Sequence, residues 1–369
     1  MVTAGTFYIS GGGTGGHLYP GLAIADALVA QCPALEIRFI GAQRGIERTI
    51  LPGTRWPHQL LDLHPLYRSA PWENWKTARG LIGAFKSIRK QMARNPPVGA
   101  LGTGGYAAGA LLAYARTTGI PYFLQEQNAV AGLTVRLFSG GARSVFVGFP
   151  EAIATLSGAG QRVAYVTGNP ITPPPAPLPE RSAGRATWGF PDTVQRVLLA
   201  FGGSQGSRAI NDAIAVWLPN ALPPEWGAIW VTGRGDHARH LEHASERVRV
   251  IAYQAPMAQA YATVDLAVAR AGAMSTAELC AWGIPMVLIP LPTAAADHQQ
   301  QNAAALELAD AARVVPQQLL DGGELGRTLD ALCADAAELQ AMGRAARVRA
   351  RADASQVIAA NILASLNLK

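Results

Sequence analysis

The chain has 369 residues, 49% hydrophobic and only 15% charged, with a net charge of +6 and a pI near 9.4. That length suits two domains, each able to bury its own core. The high apolar and low charged content excludes long disordered regions. Cys32, Cys280 and Cys333 are too far apart for a metal-ligand set or a disulfide framework, so structural thiols in a reducing compartment are expected. The first ten residues do not read as a signal peptide, and no uninterrupted apolar run reaches about 18–20 residues, so the expectation is a cytoplasmic protein.

In chain order, TFYIS (6–10) predicts a short buried strand, followed by six residues rich in glycine and a helix over about 17–30. EIRFI (36–40) is the next strand. This β-loop-α-β start predicts a parallel, doubly wound α/β sheet. The pattern repeats with a strand at 97–101, a loop at 102–105, a helix of small residues to Thr117, and strands at 122–125 and 144–147. NPITPPPAPLPE (169–180) holds six prolines and reads as a stiff extended linker. The pattern then restarts with a strand at 195–201, a loop at 202–206 and a helix at 208–217. Further strands are predicted at 228–232, 248–252, 265–269 and 285–289. The expected organisation is a first domain over 1–168, a linker over 169–193, a second domain over 194–345, and a C-terminal helix within 346–369 returning to the first domain.

Three glycine-rich loops follow predicted strands: Gly11–Gly16, Gly102–Gly105 with Tyr106, and Gly202–Gly206. Glycine allows close backbone approach and positive φ, and a following helix presents unpaired amides to an anion. A single such loop reads equally well as a tight turn. Three of them at strand C-termini, where open α/β sheets bind ligands, predict a site for a phosphate-bearing ligand. Gly11, Gly13 and Gly16 also match the dinucleotide fingerprint, which raises an oxidoreductase. Against it, the strand that should end in a ribose-binding acid ends Ile40-Gly41-Ala42, and Glu36 begins that strand instead. No loop ends in Gly-Lys-Ser/Thr, so a nucleotide triphosphatase loop is absent.

Polar residues gather at the same strand ends. His17 stands at the first helical turn after the first loop, and its reference pKa of ~6.5 suits proton transfer near neutrality. The helix positive end favours its basic form. A capping or substrate-orienting histidine is the alternative. Gln125-Glu126-Gln127-Asn128 suits a hydroxyl-rich ligand, or a solvated loop. In the second half, Ser275 or Thr276 would cap a helix whose amides face a phosphate, and Glu278 would accept two ribose hydroxyls or merely stabilise that helix. Asp297-His298-Gln299-Gln300 offers amides to a sugar. No carboxylate pair has metal-ligand spacing, so no obligatory metal and no cofactor are expected.

The ordered set GGGTGGHLYPGLAIADAL (11–28), GTGGYAAG (102–109), QEQNAVAGLT (125–134), TGNPI (167–171), GGSQGSRAIN (202–211), RAGAMSTAEL (270–279) and DHQQQNA (297–303) resembles the MurG family over essentially the whole chain. These bacterial UDP-N-acetylglucosamine transferases make the second lipid-linked peptidoglycan precursor. The resemblance implies a GT-B fold, two Rossmann-like domains facing a central cleft, with an inverting, metal-independent reaction. It implies that Ser204 and Gln205 contact the diphosphate, Glu278 the ribose, and Gln299 and Gln300 the sugar. Gln254 and the turn Ala273, Met274, Ser275 and Thr276 complete the donor set. Thr14, Gly15, Gly16 and Asn128 reach the donor from the first half. Gly104, Gly105, Tyr106 and Glu126 lie on the acceptor side, and His17 is the candidate base. The partners implied are UDP-N-acetylglucosamine, undecaprenyl-pyrophosphoryl-MurNAc-pentapeptide and the anionic cytoplasmic face of the bacterial inner membrane. Two positions depart from the family: Gln125 stands where histidine is common, and Thr172 stands where an arginine donor contact is common.

Between His64 and Arg94, Trp72, Trp75, Leu81, Ile82 and Phe85 alternate with Arg68, Lys76, Arg79, Lys86, Arg89 and Lys90, with Glu73 the one acid. Such a stretch can rest on anionic lipid, or be a domain helix with core aromatics and solvated cations. Nucleic acid is disfavoured, because the charge is local and no binding motif accompanies it. Competing functions are another GT-B UDP-sugar enzyme, such as a glycolipid synthase or an epimerase, and a non-catalytic nucleotide-sugar-binding module.

Overall fold

A computed structural model of the chain describes residues 4–64, 72 and 74–368, with residues 74–78 and 295 described by their backbone alone. The chain divides into two compact units: unit 1 is Met1–Thr172 with Arg351–Lys369, and unit 2 is Pro173–Ala350.

Unit 1 contains, in order, β1 (Gly5–Ser10), α1 (Gly15–Gln31), β2 (Leu35–Ala42), α2 (Glu47–Ile50), β3 (His58–Leu61), α3 (Asn74–Arg94), β4 (Pro97–Gly102), α4 (Gly105–Thr118), β5 (Tyr122–Glu126), α5 (Leu133–Phe138), β6 (Ser144–Val147), α6 (Gly158–Arg162) and β7 (Ala164–Val166). The sheet order is β3-β2-β1-β4-β5-β6-β7, all parallel. The central strands read as apolar runs because both faces of the sheet are covered. In β1, Phe7 and Ile9 pack toward α1, while Tyr8 packs in the opposite layer with residues of α3 and α4. That is the period-two alternation of a strand buried on both sides. Strand order reverses between β1 and β4, and open sheets bind ligands at such a switch point. Both glycine loops of this unit begin there.

Unit 2 holds α7 (Arg181–Thr187), β8 (Arg196–Phe201), α8 (Arg208–Ala221), β9 (Trp226–Val231), β10 (Val248–Ile251), α9 (Ala258–Tyr261), β11 (Leu266–Ala269), α10 (Ala273–Trp282), β12 (Met286–Leu288), α11 (His298–Leu308), β13 (Ala312–Val314), α12 (Glu324–Ala334) and α13 (Ala336–Arg349). Its parallel order is β10-β9-β8-β11-β12-β13. The switch point falls between β8 and β11, where the loops at 202–206 and 270–272 begin. Leu198, Ala200, Trp226 and Trp230 pack with Ile214 of α8, Leu329 of α12 and Met342 of α13.

The proline-rich segment is shorter as a connector than its composition suggests. Residues 181–187, placed by sequence in a 169–193 linker, fold as α7 within unit 2. Arg181 donates to Asp265 at 2.6 Å, and the Trp188 indole donates to the Gln259 carbonyl at 3.3 Å. These anchors outweigh the extended bias of the preceding prolines. At the far end the chain re-enters unit 1, and α14 (Ala354–Ser365) packs on α1. Ile358, Ala359, Ile362 and Leu363 join the cluster of Phe7, Ile24 and Leu28. All three cysteines are buried thiols, and burial pushes Cys280 and Cys333 up to about 12.

Candidate active site

In unit 1 the two glycine loops interlock around His17. Gly13, Gly104 and Gly105 all have positive φ. A Cβ on Gly105 would lie 2.0 Å from the Gly12 carbonyl oxygen, and one on Gly104 would lie 2.8 Å from the His17 ring. Thr103, fully buried, donates its hydroxyl to the His17 carbonyl at 2.7 Å. Thr14 gives α1 no side-chain cap and places its hydroxyl 3.1 Å from His17 Nδ1. Gly15 and Gly16 open the helix, so their amides face outward from its positive end. Tyr106 lies against Gly13.

A buried amide cluster supports this arrangement from β5. Gln127 donates to the Thr103 carbonyl at 2.8 Å and also bonds Gln125. Gln125 donates to Asn169 at 3.2 Å, and Asn169 donates to the Gln127 carbonyl at 2.9 Å. Glu126 is also buried, and it accepts from the Asn128 amides and from Gly132 N. Its carboxylate therefore shapes the 126–132 turn.

Sequence reasoning missed Glu47. This fully buried carboxylate accepts from Gly13 N at 3.0 Å and from Ala42 N at 3.2 Å. Gly12 and Gly45 press against it so closely that a Cβ on either would lie within 2.0 Å of a Glu47 oxygen. The surrounding glycines Gly12, Gly41 and Gly45 were the available signal. Glu36, weighed as a ribose acid, instead pairs with Arg38 at 2.6 Å and accepts from Thr6.

In unit 2 the loop after β8 borders an open concavity of about 620 Å³. Ser204, Gln205, Ser275 and Gln299 line it together with Arg208 and Arg270. Gly203 and Gly206 have positive φ, and a Cβ on Gly206 would lie 2.2 Å from the Thr232 carbonyl oxygen. Ser207 caps α8 by accepting from Ile210 N. Its hydroxyl also accepts from Arg270 at 2.7 Å, and the Arg270 guanidinium further donates to Gln317 and to the carbonyls of Ile289 and Pro290. Burial lowers the Arg270 pKa from the usual arginine value. Gln299 accepts from Leu291 N at 3.0 Å.

One expectation is corrected here. Neither Ser275 nor Thr276 caps α10, which begins at Ala273 with Gly272 as its cap residue. Thr276 is buried and turns its hydroxyl back to the Gly272 and Ala273 carbonyls, because it sits a full turn inside the helix. Elsewhere in unit 2, Asp212, Asp236 and His240 bring ligand atoms within 4.8 Å of one another. Arg239 donates to both aspartates, so the group is already an ion-pair cluster. Glu278, Gln254 and Gln300 do not line the concavity. Gln254 bonds the Pro256 carbonyl and Gln259, Gln300 is exposed, and Glu278 accepts from Tyr261.

The glycosyltransferase family 28 N-terminal domain matches residues 7–147, and the family 28 C-terminal domain matches residues 197–358. A UDP-N-acetylglucosamine–N-acetylmuramyl-(pentapeptide) pyrophosphoryl-undecaprenol N-acetylglucosamine transferase of Salinibacter ruber is 39% identical over 361 residues, covering 96% of this chain and 95% of that one. The chain belongs to the MurG family. The enzyme of the same name from Porphyromonas gingivalis is 36% identical over 361 residues, covering 95% and 93% of the two chains. The crystal structure of MurG from Acinetobacter baumannii superposes with a TM-score of 0.78 at 26% identity, covering 98% of this chain and 99% of that one. The paired parallel-sheet units are those of the GT-B fold.

Gln125, buried, is part of the amide cluster with Gln127 and Asn169. Within unit 2, Arg208 and Arg270 are the cations beside the 202–206 loop.

Helix α3 divides cleanly. Ala84, Ile88 and Met92 recur every fourth residue and are buried in the core, as a one-face helical stripe requires. Phe85 is half-buried against Tyr114. The opposite face exposes Arg79, Lys86, Arg89, Lys90 and Arg94, with Ile82 61% exposed and, just before the helix, Trp72 74% exposed. Arg68, Glu73 and the side chains of Trp75 and Lys76 lie outside the described residues. No helix among the described residues is long and apolar enough to cross a membrane.

Proposed function

We propose that this protein transfers N-acetylglucosamine from UDP-N-acetylglucosamine to the 4-hydroxyl of lipid-linked MurNAc-pentapeptide, with inversion at the anomeric carbon. Its full-length similarity to transferases named for that reaction carries the proposal. The reading assigns roles to each unit. In unit 2, the 202–206 loop and the start of α8 receive the diphosphate, with Arg270 and Arg208 adding positive charge. Ser204 and Gln205 are exposed at that loop and contact it directly. Ser275, Gln299 and Gln300, with Ala273, Met274, Thr276 and Gln254 around them, shape the sugar and uridine side, and Glu278 takes the ribose.

In unit 1, His17 is the base. The acceptor hydroxyl forms the new bond to the anomeric carbon and gives its proton to the imidazole. The bond from that carbon to the diphosphate breaks, and UDP leaves with the electron pair. Thr14 orients the ring, while Gly15, Gly16 and Asn128 reach the donor. Gly104, Gly105 and Tyr106 form the acceptor wall, and Glu126 holds its turn. Backbone amides and arginine neutralise the departing diphosphate, which a metal would otherwise do. The outer face of α3, with Trp72 and Ile82, rests on an anionic membrane surface at the cytoplasmic side, where the lipid-linked acceptor resides.

UDP release from UDP-N-acetylglucosamine, with and without lipid-linked muramyl-pentapeptide and in excess chelator, tests the proposal. Acceptor-dependent release that survives chelation is expected. Release that needs no acceptor overturns the transfer, and turnover abolished by chelation overturns its metal independence.

A further inference from the structure

Glu278 lies in the middle of α10, and its position is set by a residue outside that helix. Tyr261, the last residue of α9, is 3% exposed and donates its hydroxyl to Glu278 Oε2 at 2.8 Å. The Tyr261 ring also packs on Trp282 of α10, with centroids 6.2 Å apart. Ring packing and hydrogen bond therefore attach one helix to the other at two points. No other hydrogen bond to the Glu278 carboxylate is made among the described residues.

The pair has a fixed polarity. Burial raises the Tyr261 phenol well above its usual value, and the neighbouring Glu278 charge raises it further, so the hydroxyl stays a donor. Burial also raises Glu278, and the bond from Tyr261 works in the other direction. An ionised carboxylate only accepts, and it does so through about four lone-pair sites. The phenol holds Oε2 in place and takes one of its lone-pair sites, leaving Oε1 and the second site of Oε2 to receive further donors. Two adjacent hydroxyls on one ring match a carboxylate held in this way, whereas a freely rotating one would lose more conformational freedom on binding.

We propose that Tyr261 is the positioning residue that orients Glu278 to accept the vicinal hydroxyls of the donor nucleoside. The proposal rests on the reading that Glu278 takes the ribose. Tyr261 touches no substrate in this scheme and acts through the carboxylate alone.

The test is calorimetric binding of UDP and of 2′,3′-dideoxy-UDP to the whole protein and to Y261F, E278Q and the double variant. Y261F keeps the ring that packs on Trp282 and removes only the hydroxyl. One hydrogen bond to a charged group sets the scale at roughly 10–150-fold weaker UDP binding by Y261F, with dideoxy-UDP binding unchanged. The double variant should bind UDP no more weakly than E278Q, because the two residues act in series. In turnover, Y261F should raise KM for the nucleotide sugar by the same factor and leave kcat in place. If the parent protein discriminates the two nucleotides but Y261F weakens both equally, or neither, Tyr261 is only a packing residue and the proposal fails. If the parent binds both nucleotides equally, the ribose reading of Glu278 fails and the proposal falls with it. E278Q tests the ribose reading by itself, and the melting curve of Y261F, which keeps the ring on Trp282, shows that its binding is read on folded protein.

Discussion

Replacing Glu47 by glutamine tests how the first glycine loop is held. The carboxylate gives one oxygen to Gly13 N at 3.0 Å and the other to Ala42 N at 3.2 Å, in a fully buried setting. Glutamine has one oxygen and one NH2. Whichever way it turns, one backbone N–H must face another donor. Losing a bond to a charged acceptor costs about 1.5–3 kcal/mol, and an unsatisfied buried donor costs about 1–3 kcal/mol; the two overlap, so roughly 2–4 kcal/mol is expected. For a unit of this size each kcal/mol moves Tm by roughly 2–4 °C, so calorimetry should show the unit 1 transition falling by about 4–16 °C. The Gly13 amide should also exchange faster with solvent. Since the same loop carries Thr14 and leads to His17, turnover should fall more than UDP affinity. An E47Q protein melting within about 1 °C of the parent, with a protected Gly13 amide, would refute the account of Glu47 as the loop's anchor.

The remaining predictions concern other elements. H17A should lose roughly 10²–10⁴-fold in turnover while binding UDP normally; full turnover would remove its role as base. G105A places a side chain at φ +74 and 2.0 Å from the Gly12 oxygen, so chemical denaturation should show a loss of at least about 1–2 kcal/mol. G83A on α3 meets nothing within 4 Å and should instead stabilise by about 0.5–1 kcal/mol. Burial alone would raise Asp236, but bonds from Asn211, Arg239 and His240 prevail and lower it from 3.8 to about 2. A depressed folded-state pKa contributes stability above the unfolded value and loses it as pH falls through the folded one. The stability of unit 2 should therefore decline between about pH 4 and pH 2, and D236N should flatten that limb. Exchanging Lys86, Arg89 and Lys90 for glutamine should weaken binding to anionic vesicles at low salt by about 100-fold, at ~1 kcal/mol each, and leave neutral vesicles unaffected.

The central strands were legible because a parallel strand covered on both faces must be a short apolar run, as TFYIS and QRVLLAF are. The glycine loops were legible for a related reason: their positions follow strands, and their φ values and close contacts demand glycine. The edge strands β3, β7 and β13 were not read, since HQLL, AYV and ARV are short and partly exposed. Helix α7 escaped for a different reason. It has no buried residue and so no apolar stripe, and long-range bonds to Asp265 and Gln259 hold its ends. Among site residues, His17 and the 202–206 loop could be placed from local order alone. Glu47 and Tyr261 could not, because their importance lies in partners 34 and 17 residues away. Thr276 was misjudged because a hydroxyl near a helix start suits a cap or a back-bond equally well, and only the observed first turn decides.

The return of α14 to unit 1 separates the order of synthesis from the order of folding. Ile358, Ala359, Ile362 and Leu363 belong to a core whose other members lie within the first 150 residues. Unit 2 is a single uninterrupted segment and can finish while translation continues. Domains ordinarily fold as they emerge, first segment first, but here the earliest segment must wait for the latest. Until then α1 shows a bare apolar strip, and a ribosome stalled before residue 354 leaves the half that carries His17 unfinished.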